Sequence, residues 1–245
     1  MKAGHLFTTI LAIASTTLAA PAVTRQQTRA LFSTNTHGRR QIPAECDLAG
    51  LDDVVLPVAN PALPSPGEDQ WLAAVIIGRG VQNYTCAGND SSAAPVATGA
   101  IATLYYASCI AVQDPDLLAA LPGEAFKLPL PADPLDDLVC GAQPIERAGF
   151  HFFNAAKTPT FDFRESGDED LGLGLVTVGA RSPAPNAASD VPWLFLTRAA
   201  GSEGPIQSIY RLNTVGGVAP ATCAGQPKDI SVEYAAQYWA FSSDP

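Results

Sequence analysis

The sequence predicts a mainly β protein, a single antiparallel β-sandwich or barrel with one or two short helices. Three observations predict it. Strand-length runs rich in β-branched and aromatic residues, about eight of them, recur at near-regular spacing from Gln70 to Phe241. Clusters of Gly, Pro, Asn and Asp separate those runs. Hydrophobic residues make up 47% of the 245 residues and charged ones only 16%, enough apolar material for a core and too little charge for a disordered chain.

The elements follow in order. Residues 57–69 (PVANPALPSPGED) are proline-rich and turn-like. WLAAVIIGRGVQNYTC (71–86) is the first strand, with Gly78 and Gly80 marking a bend or bulge. GAIATLYYASC (99–109) is the second. The best helical signals fall in 114–140, where Asp114 or Asp116 caps a short helix over Leu117–Leu121 and Asp133 a second over Leu135–Cys140. Six further strands follow: PIERAGFHFF, TPTFDF, LGLGLVTVGA, VPWLFLTRAA, IQSIYRLNTV and ISVEYAAQYWAF. In the last, Ile230, Val232, Tyr234, Ala236 and Tyr238 alternate with Ser231, Glu233, Ala235 and Gln237, the pattern of a half-buried strand. No internal repeat or linker divides residues 41–245, so they read as one β-domain.

Residues 1–19 read as a secretory signal peptide. Lys2 supplies the basic end, Leu6–Leu18 the apolar stretch, and Thr17 and Ala19 the small residues of a cleavage site. Threonines and a serine interrupt the stretch, which is a poor membrane anchor. Residues 20–40 are basic and polar and end in Arg39-Arg40, so they form a propeptide cut at the dibasic pair or a disordered N-terminal arm. On a secreted chain, Cys46, Cys86, Cys109, Cys140 and Cys223 read as two disulfides and a leftover, without any zinc-type spacing. Asn83-Tyr84-Thr85 and Asn89-Asp90-Ser91 are sequons, which marks Asn83 and Asn89 for glycosylation.

Charge excludes some partners. The net charge is −10, and the first forty residues hold five basic residues and no acid, so the body is more acidic still. Such a body does not suit nucleic acid or an anionic membrane. Gly78-Arg79-Gly80 and Gly172-Leu173-Gly174 start like a dinucleotide fingerprint, but Asn83 and Thr177 stand at the third glycine position and no helix follows. No cofactor is expected.

GVQNYTC (80–86), ATLYYASC (102–109), GFHFF…TPTFDF (149–163), VPWLFL (191–196), IYRLNTVGGVAPATC (209–223) and VEYAAQYW (232–239) resemble, in this order, a family of secreted fungal proteins. That family is a domain of unknown function whose members are often labelled malate dehydrogenase. The resemblance implies a secreted, mostly β protein and brings no established catalytic residues. Cys46, Cys86, Cys109 and Cys223 match the family's usual cysteines, and Cys140 does not. The dehydrogenase label conflicts with the chemistry: a single histidine follows Arg40, where a base His, a partner Asp and paired arginines would be needed around a nucleotide fold. Among about fifteen possible arrangements, a short loop between neighbouring strands favours Cys86–Cys109. Cys46–Cys223 then ties the two ends of the domain, and Cys140 is left unpaired.

That single histidine, His151, lies in GFHFF, and Asp162 lies in TFDF on the next strand. Paired as a hairpin about Asn154–Thr158, the two would form a base and its orienting carboxylate. Gln82, Tyr84 and Arg211 are the polar candidates for ligand contacts in the other motifs. The competing interpretation is a surface histidine, an Asp accepting turn hydrogen bonds and aromatic neighbours that are plain core. Glu165, Asp168, Glu169 and Asp170 form an acidic loop without EF-hand spacing. The expected role is extracellular binding of a glycan, on a stacking face built from Trp193, Tyr210, Tyr238 and Trp239, or of a small apolar compound. The alternatives are a cofactor-independent secreted hydrolase or isomerase/cyclase using His151 and Asp162, and a host-interacting effector. The oligomeric state is not legible.

Overall fold

A computed structural model describes residues 48, 56–86, 92–130, 139–140, 143–164 and 171–243. The signal peptide, the basic arm, Cys46, Asn89 and the acidic loop of residues 165–170 lie outside the described residues.

In chain order the elements are β1 (Trp71–Thr85), β2 (Val96–Tyr106), α1 (Ser108–Gln113), α2 (Pro115–Phe126), β3 (Val139–Cys140), β4 (Gln143–Pro144), β5 (Arg147–Phe153), β6 (Pro159–Asp162), β7 (Leu173–Ser182), β8 (Trp193–Arg198), β9 (Ile206–Gly216) and β10 (Asp229–Ser242). Eight strands close into an antiparallel barrel in the order β1-β10-β9-β8-β7-β6-β5-β2. Of the two architectures the sequence left open, the structure is the barrel. β3 and β4 form a separate two-stranded pair.

Two helical expectations change. Ser108 and Cys109, which ended the second predicted strand, belong to α1. The expected helix over Leu135–Cys140 ends in β3, where Cys140 pairs with Gln143 instead of closing a helical turn; residues 131–138 lie outside the described residues. The Asp114 cap is present. Its Oδ1 accepts from the Leu117 amide at 2.9 Å, with Pro115 opening α2.

The barrel has two apolar layers. Inside it, Ala74, Ile76, Ala102, Leu104, Phe161, Leu196, Ile209 and Tyr238 pack together. Outside it, α1, α2 and residues 56–63 cover one side, where Ile110, Leu118 and Ala125 meet Val75, Ile77, Tyr210, Ala235 and Trp239. β10 is therefore buried on both faces, not half-buried: Ala235 and Gln237 on its outer face are as inaccessible as Tyr234 on its inner one. Gln237 Nε2 donates to the Leu118 carbonyl at 2.7 Å, which satisfies the amide under α2. Arg79 also lies on this covered face. It donates to the Phe126 and Leu128 carbonyls at the end of α2 and pairs with Glu233.

Gly78 and Gly80 are required for packing, and the chain does not bulge at them: their pairing with β10 and β2 runs in unbroken register. A Cβ on Gly80 would stand 2.0 Å from the Ile101 carbonyl oxygen, and one on Gly78 would stand 2.5 Å from the Tyr238 ring. Both glycines are mid-strand in an antiparallel pair, and Gly174 sits near the start of β7. No helix N-terminus follows any of them, as a dinucleotide site would need.

The disulfide pairing differs from expectation. Cys86 is bonded to Cys223, with Cα atoms 5.7 Å apart. The two cysteines lie in loops at one end of the barrel, just beyond β1 and just ahead of β10. Adjacent strands β1 and β10 bring them together, whereas sequence proximity had favoured Cys109. Cys109 is disulfide-bonded as well. By elimination its partner is Cys46 or Cys140, whose side chains lie outside the described residues.

Candidate functional site

Strand alternation decides which polar side chains enter the barrel. Along β1 the inward set is Ile76, Gly78, Gly80, Gln82 and Tyr84. Directly paired residues share a face, so the pairs Gly80–Tyr234, Ile76–Tyr238 and Tyr238–Arg211 carry that face across β10 to β9. On the other side, Gly80–Ala102, Ala102–His151 and His151–Phe161 carry it across β2 and β5 to β6. Gln82, Tyr84, His151 and Arg211, four of the five candidates from sequence, thus face one interior.

Asp162, the fifth, does not. It pairs with Phe150 and faces outward, where Arg164 clamps it through Nε–Oδ1 at 2.8 Å and Nη2–Oδ2 at 2.7 Å. Those bonds hold its carboxyl below the usual carboxylate range. The expected His151–Asp162 pair does not form, because neighbouring strands place a base and an acid on one face only in matching register.

His151 is buried, and its ring stacks on Phe161 at 4.2 Å between centroids. Burial lowers its pKa to about 4, so the imidazole is neutral over the physiological range. Its Nδ1 lies 2.9 Å from the Thr160 carbonyl, which only accepts, so Nδ1 carries the proton and Nε2 the lone pair. A base this weak suits proton acceptance at pH 7 poorly.

A chain of polar groups runs along one wall. The Gln82 side chain lies beside the Tyr234 hydroxyl. The Tyr234 and Tyr238 hydroxyls are 2.9 Å apart, and the Arg211 guanidinium lies beside Tyr238. Burial raises both tyrosine pKa values, so both stay protonated. Arg211 also donates from Nε and Nη2 to the Pro192 carbonyl at 3.2 and 2.8 Å. Tyr84 donates to the Gly217 carbonyl at 2.6 Å, and its pKa too is raised by burial. Tyr234 was not among the candidate site residues, and Tyr238 was named only for a sugar-stacking face. The signal was there, since four residues apart on a strand is the same face.

The rim of the barrel is exposed at the end where β1 finishes. Phe153 and Val178 face inward, yet they are 36% and 39% exposed, whereas their inward neighbours Phe161 and Leu196 are buried. Phe153 and Val178 make this rim apolar; deeper in the barrel Leu194 lies directly beside Arg211, and the Phe161 ring meets the Tyr238 ring at 5.2 Å.

The remaining sites lie elsewhere. Trp193, Tyr210, Tyr238 and Trp239 are all buried, so they form no external stacking face. Asn83 is on the outer face of β1, and its Oδ1 accepts from the Ser231 hydroxyl at 2.8 Å. Among the described residues no group of three or more His, Cys, Asp or Glu could hold a metal ion, and no helix is long and apolar enough to cross a membrane.

A family model described as Protein of unknown function (DUF3455) matches residues 66–242. No curated protein and no solved structure matches the chain.

Proposed function

Because the chain belongs to the DUF3455 family, whose function is unknown, we propose its role from the barrel: it binds a small, largely apolar compound in the barrel interior, outside the cell. The observation that carries this reading is the solvent exposure of inward-facing Phe153 and Val178 beside a buried polar wall. Eight-stranded barrels are just wide enough to be filled by side chains or to hold one small ligand, and apolar walls with a few convergent polar groups are the usual make-up of such sites. The signal-like residues 1–19 and the Cys86–Cys223 disulfide support an extracellular setting.

A small compound is favoured over a glycan because the aromatics that would have stacked on sugar rings are buried. It is favoured over catalysis by a His–Asp pair because Asp162 faces away from His151 and the imidazole is a weak base. The test is titration of the purified protein with the neutral apolar fluorophore N-phenyl-1-naphthylamine. Saturable binding that Val178→Arg abolishes is the expected result. Binding that is absent, or indifferent to a charge at the mouth, would sink the reading.

A further inference from the structure

The barrel of the preceding section holds a cation to which no carboxylate among the described residues is paired, and we propose that the bound compound carries a carboxylate that ion-pairs with Arg211. This rests on the reading that the barrel binds a small compound, and it names the chemical class of that compound.

Among the described residues two arginines are buried, and they are treated differently. Arg79 is 1% exposed and has a carboxylate partner, Glu233. Among the described residues Arg211, 9% exposed, has only neutral neighbours, the Pro192 carbonyl to which it donates and the Tyr238 hydroxyl beside it. None of the ion pairs among the described residues involves it. A guanidinium withdrawn from water without an anion is costly, and its flat fork of donors matches a carboxylate in two-point contact.

A second observation points the same way. Gln82 Nε2 is buried beside the Tyr234 hydroxyl and makes no well-formed hydrogen bond to it. An orphaned buried donor calls for an acceptor, and this one belongs to the same chain of groups as Arg211. The electrostatics agree: Tyr84, His151, Tyr234 and Tyr238 all feel the charge of Arg211, and no carboxylate among the described residues acts on any of them. At the exposed rim, Phe153 and Val178 supply apolar contact for the rest of the molecule. The ligand class is therefore a small monocarboxylate with an aromatic or aliphatic body.

The experiment displaces N-phenyl-1-naphthylamine from the intact protein with a matched pair, 3-phenylpropanoate and 3-phenylpropan-1-ol, at pH 7. The expected result is a carboxylate about tenfold or more tighter than the alcohol, a gap Arg–carboxylate pairing readily supplies. Arg211→Gln should bring the carboxylate to the alcohol's affinity. Should that variant fail to fold, the wild type still decides: the carboxylate's advantage must fade as pH drops through the ligand's own carboxyl pKa, while the alcohol's affinity stays level. Equal binding of the two, with the fluorophore still bound, overturns the carboxylate and leaves the binding reading standing. Failure of the fluorophore and both ligands to bind overturns both.

Discussion

His151 stacks on Phe161, its direct partner across the β5–β6 pair, with ring centroids 4.2 Å apart, while Asp162 turns to the opposite side of the sheet. That one-residue difference separates an aromatic-lined interior from a catalytic pair. It also fixes how the protein responds to acid.

The neutral imidazole predicts a pH-dependent stability. The folded-state pKa of His151 is lowered to about 4 from an ordinary 6.5, so below pH 6.5 the unfolded chain binds a proton that the folded one refuses. Stability falls as pH drops from about 6.5 towards 4, by about 3 kcal/mol in all. Urea denaturation at pH 7 and pH 4.5 should show the loss in wild type and a smaller one in His151→Gln. Equal losses would remove His151 as the source.

Gly80→Ala should be among the most damaging single-methyl additions in the chain. The new carbon would meet a backbone carbonyl, which cannot rotate away as a side chain can. The expected cost is 3 kcal/mol or more, at the upper end of overpacking effects, which run to about 3 kcal/mol. Gly123→Ala, where nothing lies near the added carbon, is the control and should be neutral or slightly stabilising. Thermal melts of the two variants decide the matter.

Peptide mapping of alkylated, non-reduced protein should recover Cys86 joined to Cys223. Cys109 should be joined to Cys46, with Cys140 alkylated, because Cys140 is the residue that departs from the family's usual cysteines. A Cys109–Cys140 peptide would refute that half. Replacing Cys86 and Cys223 by serine should cost about 5 kcal/mol in the chain-entropy account, given their separation of 137 residues.

Purified protein should give no saturable NADH signal and no malate oxidation. Gly78 and Gly80 serve the approach of β1 to Tyr238 and β2, with no phosphate-binding turn between them. NADH binding at micromolar concentration would overturn this.

Strand positions were legible because β-branched and aromatic runs between turn residues have few other solutions. Inward residues were partly legible: period 2 groups Gln82 with Tyr84 and His151 with Phe153. It does not say which group is inside. On β10 both faces are apolar because α2 covers the outer one, so the Tyr234–Ala236–Tyr238 face could not be told from the Ala235–Gln237 face as the barrel lining. The cysteine pairing was hidden for a related reason. It depends on β1 lying beside the last strand, a contact set by closure of the whole sheet.

That contact also governs how the protein is made. Ribosomes deliver β1 early and β10 last, so Cys86 emerges with its correct partner still untranslated. The thiols it meets first are Cys46 and Cys109. A secretory compartment that oxidises cysteines as they appear would form wrong bonds before the right one exists. On a chain secreted as proposed, correct pairing would then require reshuffling by a disulfide isomerase, or keeping Cys86 reduced until the final strand docks.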